Sequence, residues 1–332
     1  MMSRNNQHGF VLVTTLWILA AITIGVAYFS ERVDRSRMQA LQTQQLAESL
    51  VDIADTRAEV LFRLGTTGFS VHGLGGSAAD AIRLDDRPYR GTGDDVVRLQ
   101  DNRGLLNLNL LDAELLLRLL GQFGVPAENQ GPMLDALQDY IDTDDLRRLN
   151  GAEAREYEML SLPPPANDWL VTPYQLQNII GWRNQAGLWK DQRFLQLVTT
   201  SRVNWFNPNT APLEVLASLP GSSRVIAEKI VEFRRDIPFV STAQLANLAG
   251  IPGLNEESVM FFPSNSIRIT QQSKNLPWMV QYSVTLTPTS NIAPWRIDYY
   301  AKNAAESLVE NEKEIALLPA RNSQSSAPAE AL

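Results

Sequence analysis

The chain contains no cysteine and only two histidines, His8 and His72. Thiolate catalysis, disulfides, iron–sulfur clusters and a conventional structural zinc site are therefore excluded. Charge is also sparse: 20% of the 332 residues are charged, and the net charge is −8. Such a chain repels phosphate backbones, so nucleic-acid binding would need a local basic patch. Nineteen Gly and 18 Pro are too few for a collagen-like or wholly unfolded chain, whereas 44% hydrophobic residues suffice for a sizeable core. At this length two or more packed units are expected. There is no G-x-S-x-G elbow for Ser-His-Asp chemistry and no D-x-D-x-D-G run for an EF-hand. Trp169, Trp182, Trp189 and Trp205 read as core or interface anchors. No enzyme is expected.

What the chain does have is a run of twenty uncharged residues, Phe10 to Phe29. As a helix it spans about 30 Å, one bilayer core. One reading is a secretory signal peptide, for which Gly25-Val26-Ala27 offers a small-x-small cleavage site. Against it, the run exceeds an ordinary signal core, and residues 30–64 contain no Pro. There Leu41, Leu46, Leu50, Ile53, Ala54, Val60 and Leu61 recur near helical spacing. A single helix is expected over residues 10–64.

The nine residues before the run, MMSRNNQHG, are polar, carry Arg4 and end in Gly9 directly before Phe10. A short basic leader closed by Gly, then an aromatic residue opening an apolar helix that becomes amphipathic, resembles the class III signal of type IV pilins and type II secretion pseudopilins. The resemblance implies cleavage between Gly9 and Phe10 by prepilin peptidase, methylation, a single-pass anchor in the inner membrane and a periplasmic body. Most pilins carry Glu as the fifth mature residue; here it is Thr14. Lacking that Glu is characteristic of the minor pseudopilin GspK.

Beyond the helix, Val96-Val97-Arg98-Leu99 is the first plausible strand. Short helical segments follow: 112–120, 131–141, 172–180, 212–219 and 224–234. After Pro263 the period switches to two, with Val280, Tyr282, Val284 and Leu286, then Trp295, Ile297 and Tyr299, on one face of half-buried strands. The expected fold is α+β: a long N-terminal helix on a small antiparallel sheet, with an all-helical domain inserted between strands. The boundaries are a leader 1–9, the helix 10–64, sheet segments 65–104 and 264–303, the insertion 105–263 and a disordered tail 304–332. A faint repeat pairs Asn107-Leu108-Asn109 with Asn207-Pro208-Asn209, each ahead of a helix, Gly turn and second helix. Duplication and two helix starts built alike are both consistent with it.

Asp139 and Asp142 lie three apart at a helix end, with Asp144 and Asp145 in the following turn and Glu153 close behind. Either this is a solvated acidic loop, or a hard divalent cation relieves the repulsion. Without nearby His or Cys, such a cation would be calcium rather than zinc. The elements Gly104-Leu105-Leu106-Asn107-Leu108-Asn109, Asp139-Tyr140-Ile141-Asp142-Thr143-Asp144-Asp145, Gly151-Ala152-Glu153 and Tyr157 resemble the GspK pattern in order and spacing. The resemblance implies a calcium site formed by Asp139, Asp142, Asp144, Asp145 and Glu153. It also implies a tip complex with GspI-like and GspJ-like minor pseudopilins. Gln175 stands where the family usually has Glu.

Residues 211–250 resemble a helix-hairpin-helix module such as those of membrane-anchored DNA-uptake receptors, the rival reading. Ser223 replaces the second hairpin Gly, and four basic residues face four acidic ones. An uncharged module gains little from counterion release, so a packing role and no nucleic-acid partner are expected.

Overall fold

A computed structural model describes residues 8–250, 256–304 and 315–319. Its contacts divide the chain into two compact units, residues 1–51 and 52–332. The described part of the first unit is helical throughout and belongs to α1 (His8–Thr66). Among the described residues this is one helix apolar and long enough to cross a membrane, with a mean hydropathy of 2.3 over its most apolar stretch.

The second unit opens with the last turns of α1. A small hairpin follows, β1 (Phe69–Ser70) with β2 (Gly73–Leu74), then β3 (Asp85–Arg90) and β4 (Asp95–Asp101). The insertion carries β5 (Leu106–Asn107), α2 (Ala113–Gln122), α3 (Ala127–Ile141), α4 (Ala154–Met159), α5 (Ala186–Trp189) and β6 (Val198–Thr199). Its second half holds α6 (Leu213–Ser218), α7 (Arg224–Asp236) and α8 (Thr242–Ala249). The chain returns to the sheet as β7 (Ser266–Ser273), β8 (Trp278–Leu286), β9 (Trp295–Ala304) and β10 (Ala316–Leu317). Strand order is β10-β3-β4-β7-β8-β9, antiparallel except for β10 on β3.

The register places Val97, Leu99, Ile267, Ile269, Val280, Tyr282 and Val284 on one face, where they pack with Val60, Leu61 and Leu64 of α1. Each such buried side chain contributes about 1.5–3 kcal/mol. The opposite face is polar yet also buried, which corrects the expectation of half-buried strands. Along β7 every residue is buried, and along β8 all but the ends. The insertion covers this face and answers its polar groups. Gln100 Nε2 donates to Thr210 O at 2.9 Å, Arg268 Nη2 to Gln196 O at 2.7 Å, and Gln281 Nε2 to Gln196 Oε1 at 2.7 Å. β9 keeps the alternation to solvent over its second half.

The expected disordered tail 304–332 is corrected in part. Ala316 pairs with Tyr89 and Leu317 with Arg90, and Arg63 donates to Pro319 O at 2.8 Å. The edge of β3 presents free backbone groups, and apolar Ala316 and Leu318 pack against the sheet core. Residues 305–314 and 320–332 lie outside the described residues, as do residues 1–7 of the expected leader.

The insertion has its own core around Leu116, Leu119, Leu137, Tyr157, Leu176, Trp182 and Phe194. Trp182 is fully buried and donates from Nε1 to Met133 O at 2.9 Å. Trp169 and Trp205 lie near the surface instead, under the guanidinium groups of Arg202 and Arg103. The segment expected as a helix over 172–180 is a 3-10 turn, Pro173–Asn178. It is capped by Thr172, and Gln175 Oε1 accepts from the N–H of Val171 and Thr172. Gln175 thus has a capping task that needs no carboxylate.

Candidate functional site

The acidic stretch sits where α3 ends. Asp139 lies on the buried face of that helix with Ala136 and Tyr140, and no part of it reaches solvent. Asp142 terminates the helix, its N–H donating to Gln138 O. The loop then folds back so that Arg148 meets both carboxylates. Arg148 Nη1 donates to Asp139 Oδ1 at 2.7 Å and to Asp142 Oδ2 at 2.5 Å, and the Arg148 N–H donates to Asp139 Oδ2 at 3.1 Å. These bonds raise the Arg148 pKa further above its ordinary value.

Gly151 makes the close return possible. A Cβ there would stand 1.9 Å from Asp139 Oδ2, so any other residue would displace the carboxylate. Two residues on, Glu153 precedes α4, and its N–H donates to Glu156 Oε2 at 3.1 Å. The Glu153 side chain is 6% exposed, and neither of its oxygens has a hydrogen-bond partner. Burial, then the charges of Asp139, Asp142, Asp145 and Asp144, push its pKa up to about 7. Asp142 Oδ1 is likewise buried without a partner. Asp144 and Asp145 face the turn itself: Asp144 Oδ1 accepts from the Leu146 N–H at 2.8 Å, and Asp145 Oδ1 from Asn167 Nδ2 at 3.4 Å.

Of the five acidic residues, the fold therefore joins Asp139 and Asp142 through one arginine and leaves Glu153 buried within their field. Among the described residues, no group of three or more His, Asp or Glu side chains is placed to hold a metal ion. The donor chemistry nevertheless fits a hard divalent cation. Three buried carboxylate oxygens lack partners, and hard oxygens are what calcium takes. Arg148 escaped the sequence reading, and Gly151 entered it only as part of the family pattern, without its close approach to Asp139. A basic pair, Arg147-Arg148, inside an acidic stretch was the available signal.

At the other end of the chain, Gly9 and Phe10 lie in the first turn of α1. Thr14 Oγ1 donates to Phe10 O at 3.1 Å and to Val11 O at 2.9 Å, so its hydroxyl serves its own helix. In the hairpin module, Gly221 adopts a φ of 74° and Ser223 caps α7 by accepting from the Ile226 N–H. Arg224 pairs with Glu228, and buried Arg234 donates to Pro208 O and Ala211 O. These arginines serve packing and intrahelical pairing.

Two family models match the chain, both described as type II secretion system protein K: a first-domain model over residues 96–187 and a second model over residues 206–261. No curated protein sequence matches. Among solved structures, the chain is similar to a chain of the crystal structure of the GspK–GspI–GspJ complex from enterotoxigenic Escherichia coli. Identity is 16%, the TM-score is 0.55, and the match covers 82% of this chain and 100% of the other. A likeness at that identity speaks for the fold, while the family models add the sequence match in both halves of the insertion. The chain belongs to the GspK family of type II secretion minor pseudopilins.

Proposed function

We propose that this minor pseudopilin caps the tip of a periplasmic pseudopilus and helps start its assembly with GspI-like and GspJ-like partners. The insertion between β4 and β7 carries this reading. Some 160 extra residues on one face of the sheet require lateral room that stacked subunits of a tight fibre do not leave. Thr14 supports it. In pilin-like fibres a Glu at this position pairs with the N-terminal ammonium of the subunit ahead, and a subunit with none ahead loses nothing by spending the position on a helix-internal hydroxyl. Prepilin peptidase cleavage at Gly9–Phe10 would leave α1 as the membrane anchor, with the body in the periplasm. Co-expression with the GspI-like and GspJ-like subunits should give a ternary complex in detergent holding one copy of this chain. Finding it repeated along the fibre would refute the tip assignment.

We further propose calcium as a structural ligand of Asp139, Asp142, Asp144, Asp145 and Glu153. The unpartnered oxygens of Glu153 and Asp142 support it. A ligand that binds the folded state alone stabilises it by RT ln(1 + [L]/Kd), about 2.7 kcal/mol at a hundredfold excess. Thermal midpoints should rise with millimolar calcium and much less with magnesium, which prefers a smaller octahedral site. An unmoved midpoint together with no heat in calorimetric titration would refute the assignment.

A further inference from the structure

The acidic stretch already holds a cation of its own. Arg148 bridges Asp139 and Asp142 through a single nitrogen and also donates its N–H to Asp139. Its side chain keeps 38% of its surface in solvent, whereas Asp139 has none and Asp142 25%. The two anions are therefore fixed, and their counter-ion has an open way out. Arg147, next to it, is engaged elsewhere, with Glu156 at 3.2 Å. One guanidinium cannot answer every carboxylate here: both Glu153 oxygens and Asp142 Oδ1 are left without a donor.

We propose that Arg148 is an internal competitor for the divalent cation: it closes the site in the metal-free protein and must swing out to solvent when calcium binds. This inference rests on the calcium reading above. The site then exchanges one locked state for another rather than passing from disorder to order. In the arginine-closed state Asp139 and Asp142 converge on a guanidinium, and no three carboxylates converge on one point, as found among the described residues. Release of Arg148 frees Asp139 Oδ1 and Asp142 Oδ2 as ligands beside the two Glu153 oxygens. Calcium affinity is thus set by the difference between the two cations, and the loop 143–150, with its exposed Leu146 and Leu149, moves with the exchange.

The test is calorimetric calcium titration of the full chain in detergent, with thermal midpoints in chelator, for wild type, Arg148→Met and Arg148→Lys. Removing the competitor should tighten calcium binding at least tenfold in Arg148→Met while lowering the midpoint in chelator, with calcium restoring it. Arg148→Lys retains the charge on a shorter, more strongly hydrated ammonium, and its affinity should fall between the other two. If Arg148→Met is unfolded in chelator, the Arg148→Lys affinity decides alone. Equal or weaker calcium binding in the variants would overturn the competitor role while leaving the calcium site standing. No binding by any of the three proteins would overturn both.

Discussion

Asp101 gathers five hydrogen bonds where the insertion joins the sheet, and Asp101→Asn tests their weight. The residue ends β4 and is fully buried. Its Oδ1 accepts from the N–H of Arg103 at 3.1 Å, the N–H of Ser264 at 2.9 Å and Ser264 Oγ at 2.7 Å. Its Oδ2 accepts from Asn207 Nδ2 at 3.0 Å and Thr210 Oγ1 at 3.0 Å. One carboxylate thus ties the entry to the insertion, its second half and its exit. Asparagine has nearly the same shape but brings an NH2 donor. Turned toward Oδ1 it meets two backbone N–H groups; turned toward Oδ2 it meets Asn207, whose amide is held because its Oδ1 accepts from the Asn209 N–H. Either way a buried donor faces a fixed donor and the charge-assisted bonds are gone, a loss of about 3–5 kcal/mol. At about 2–4 °C per kcal/mol, the thermal midpoint should fall by roughly 6–20 °C. Urea unfolding of the full chain in detergent, followed by tryptophan fluorescence, gives the free energy directly. Asp112→Asn is the control, since Asn caps α2 about as well as Asp and should cost only tenths of a kcal/mol. A loss below about 1 kcal/mol for Asp101→Asn would refute the reasoning.

Burial, with a smaller contribution from Asp52, pushes Asp95 up to about 6, above its unfolded value of 3.8. The folded state therefore binds the proton more tightly: stability is fullest below pH 4 and declines as pH rises to about 6, with a total of roughly 1–3 kcal/mol. Glu153 adds a loss of the same sign at somewhat higher pH, so the quantity to measure is the difference between wild type and Asp95→Asn at pH 4.5 and pH 8; a difference independent of pH would contradict the assignment. With prepilin peptidase present, N-terminal sequencing of the mature protein should begin at Phe10, and a start at Tyr28 would remove both anchor and fibre-forming helix.

The sequence showed the long helix, β8, β9 and the helical insertion because their apolar residues recur at the right period. It did not show β7, whose second half, Gln271-Gln272-Ser273, carries no apolar residue, nor β3, which contains Pro88 directly after the charged run Asp85-Asp86-Arg87. β7 is a strand because the insertion supplies polar partners to one face and α1 an apolar partner to the other, and β3 because it pairs with β4 on one side and β10 on the other. Arg268, for example, donates from Nη2 to Gln196 O of the insertion at 2.7 Å. Burial of that kind is decided by a domain distant in sequence, and local periodicity does not carry it. The candidate site divides in the same way. The five carboxylates could be read from their spacing, but the guanidinium between two of them depends on how the loop closes over Gly151.

The repeated Asn-x-Asn shows how a weak sequence signal acquires meaning from geometry. As helix caps the asparagines fail, since Asp112 caps α2 and Pro212 precedes α6 without any side-chain cap. Both copies instead make the same clamp. In each, the first Asn Oδ1 accepts from the N–H of the second, at 3.0 Å for Asn107 and 3.0 Å for Asn207. The second Asn then accepts a distant N–H and donates to two distant carbonyls. Asn109 accepts from Leu170 and donates to Leu170 O and Thr200 O; Asn209 accepts from Phe239 and donates to Phe239 O and Phe261 O. A parallel bridge stands just before each clamp, Leu106 with Val198 and Phe206 with Val259. Two helix starts built alike would share a cap. They would not share a bridge, a turn and a clamp that closes on the far end of the unit. The insertion therefore uses one bridge-turn-clamp arrangement twice, and each of the two family matches, over residues 96–187 and 206–261, contains one Asn-x-Asn. In each unit one asparagine closes the chain on itself, so the clamp leaves the helices between its ends free to differ. The first clamp encloses the acidic loop and the second the hairpin module.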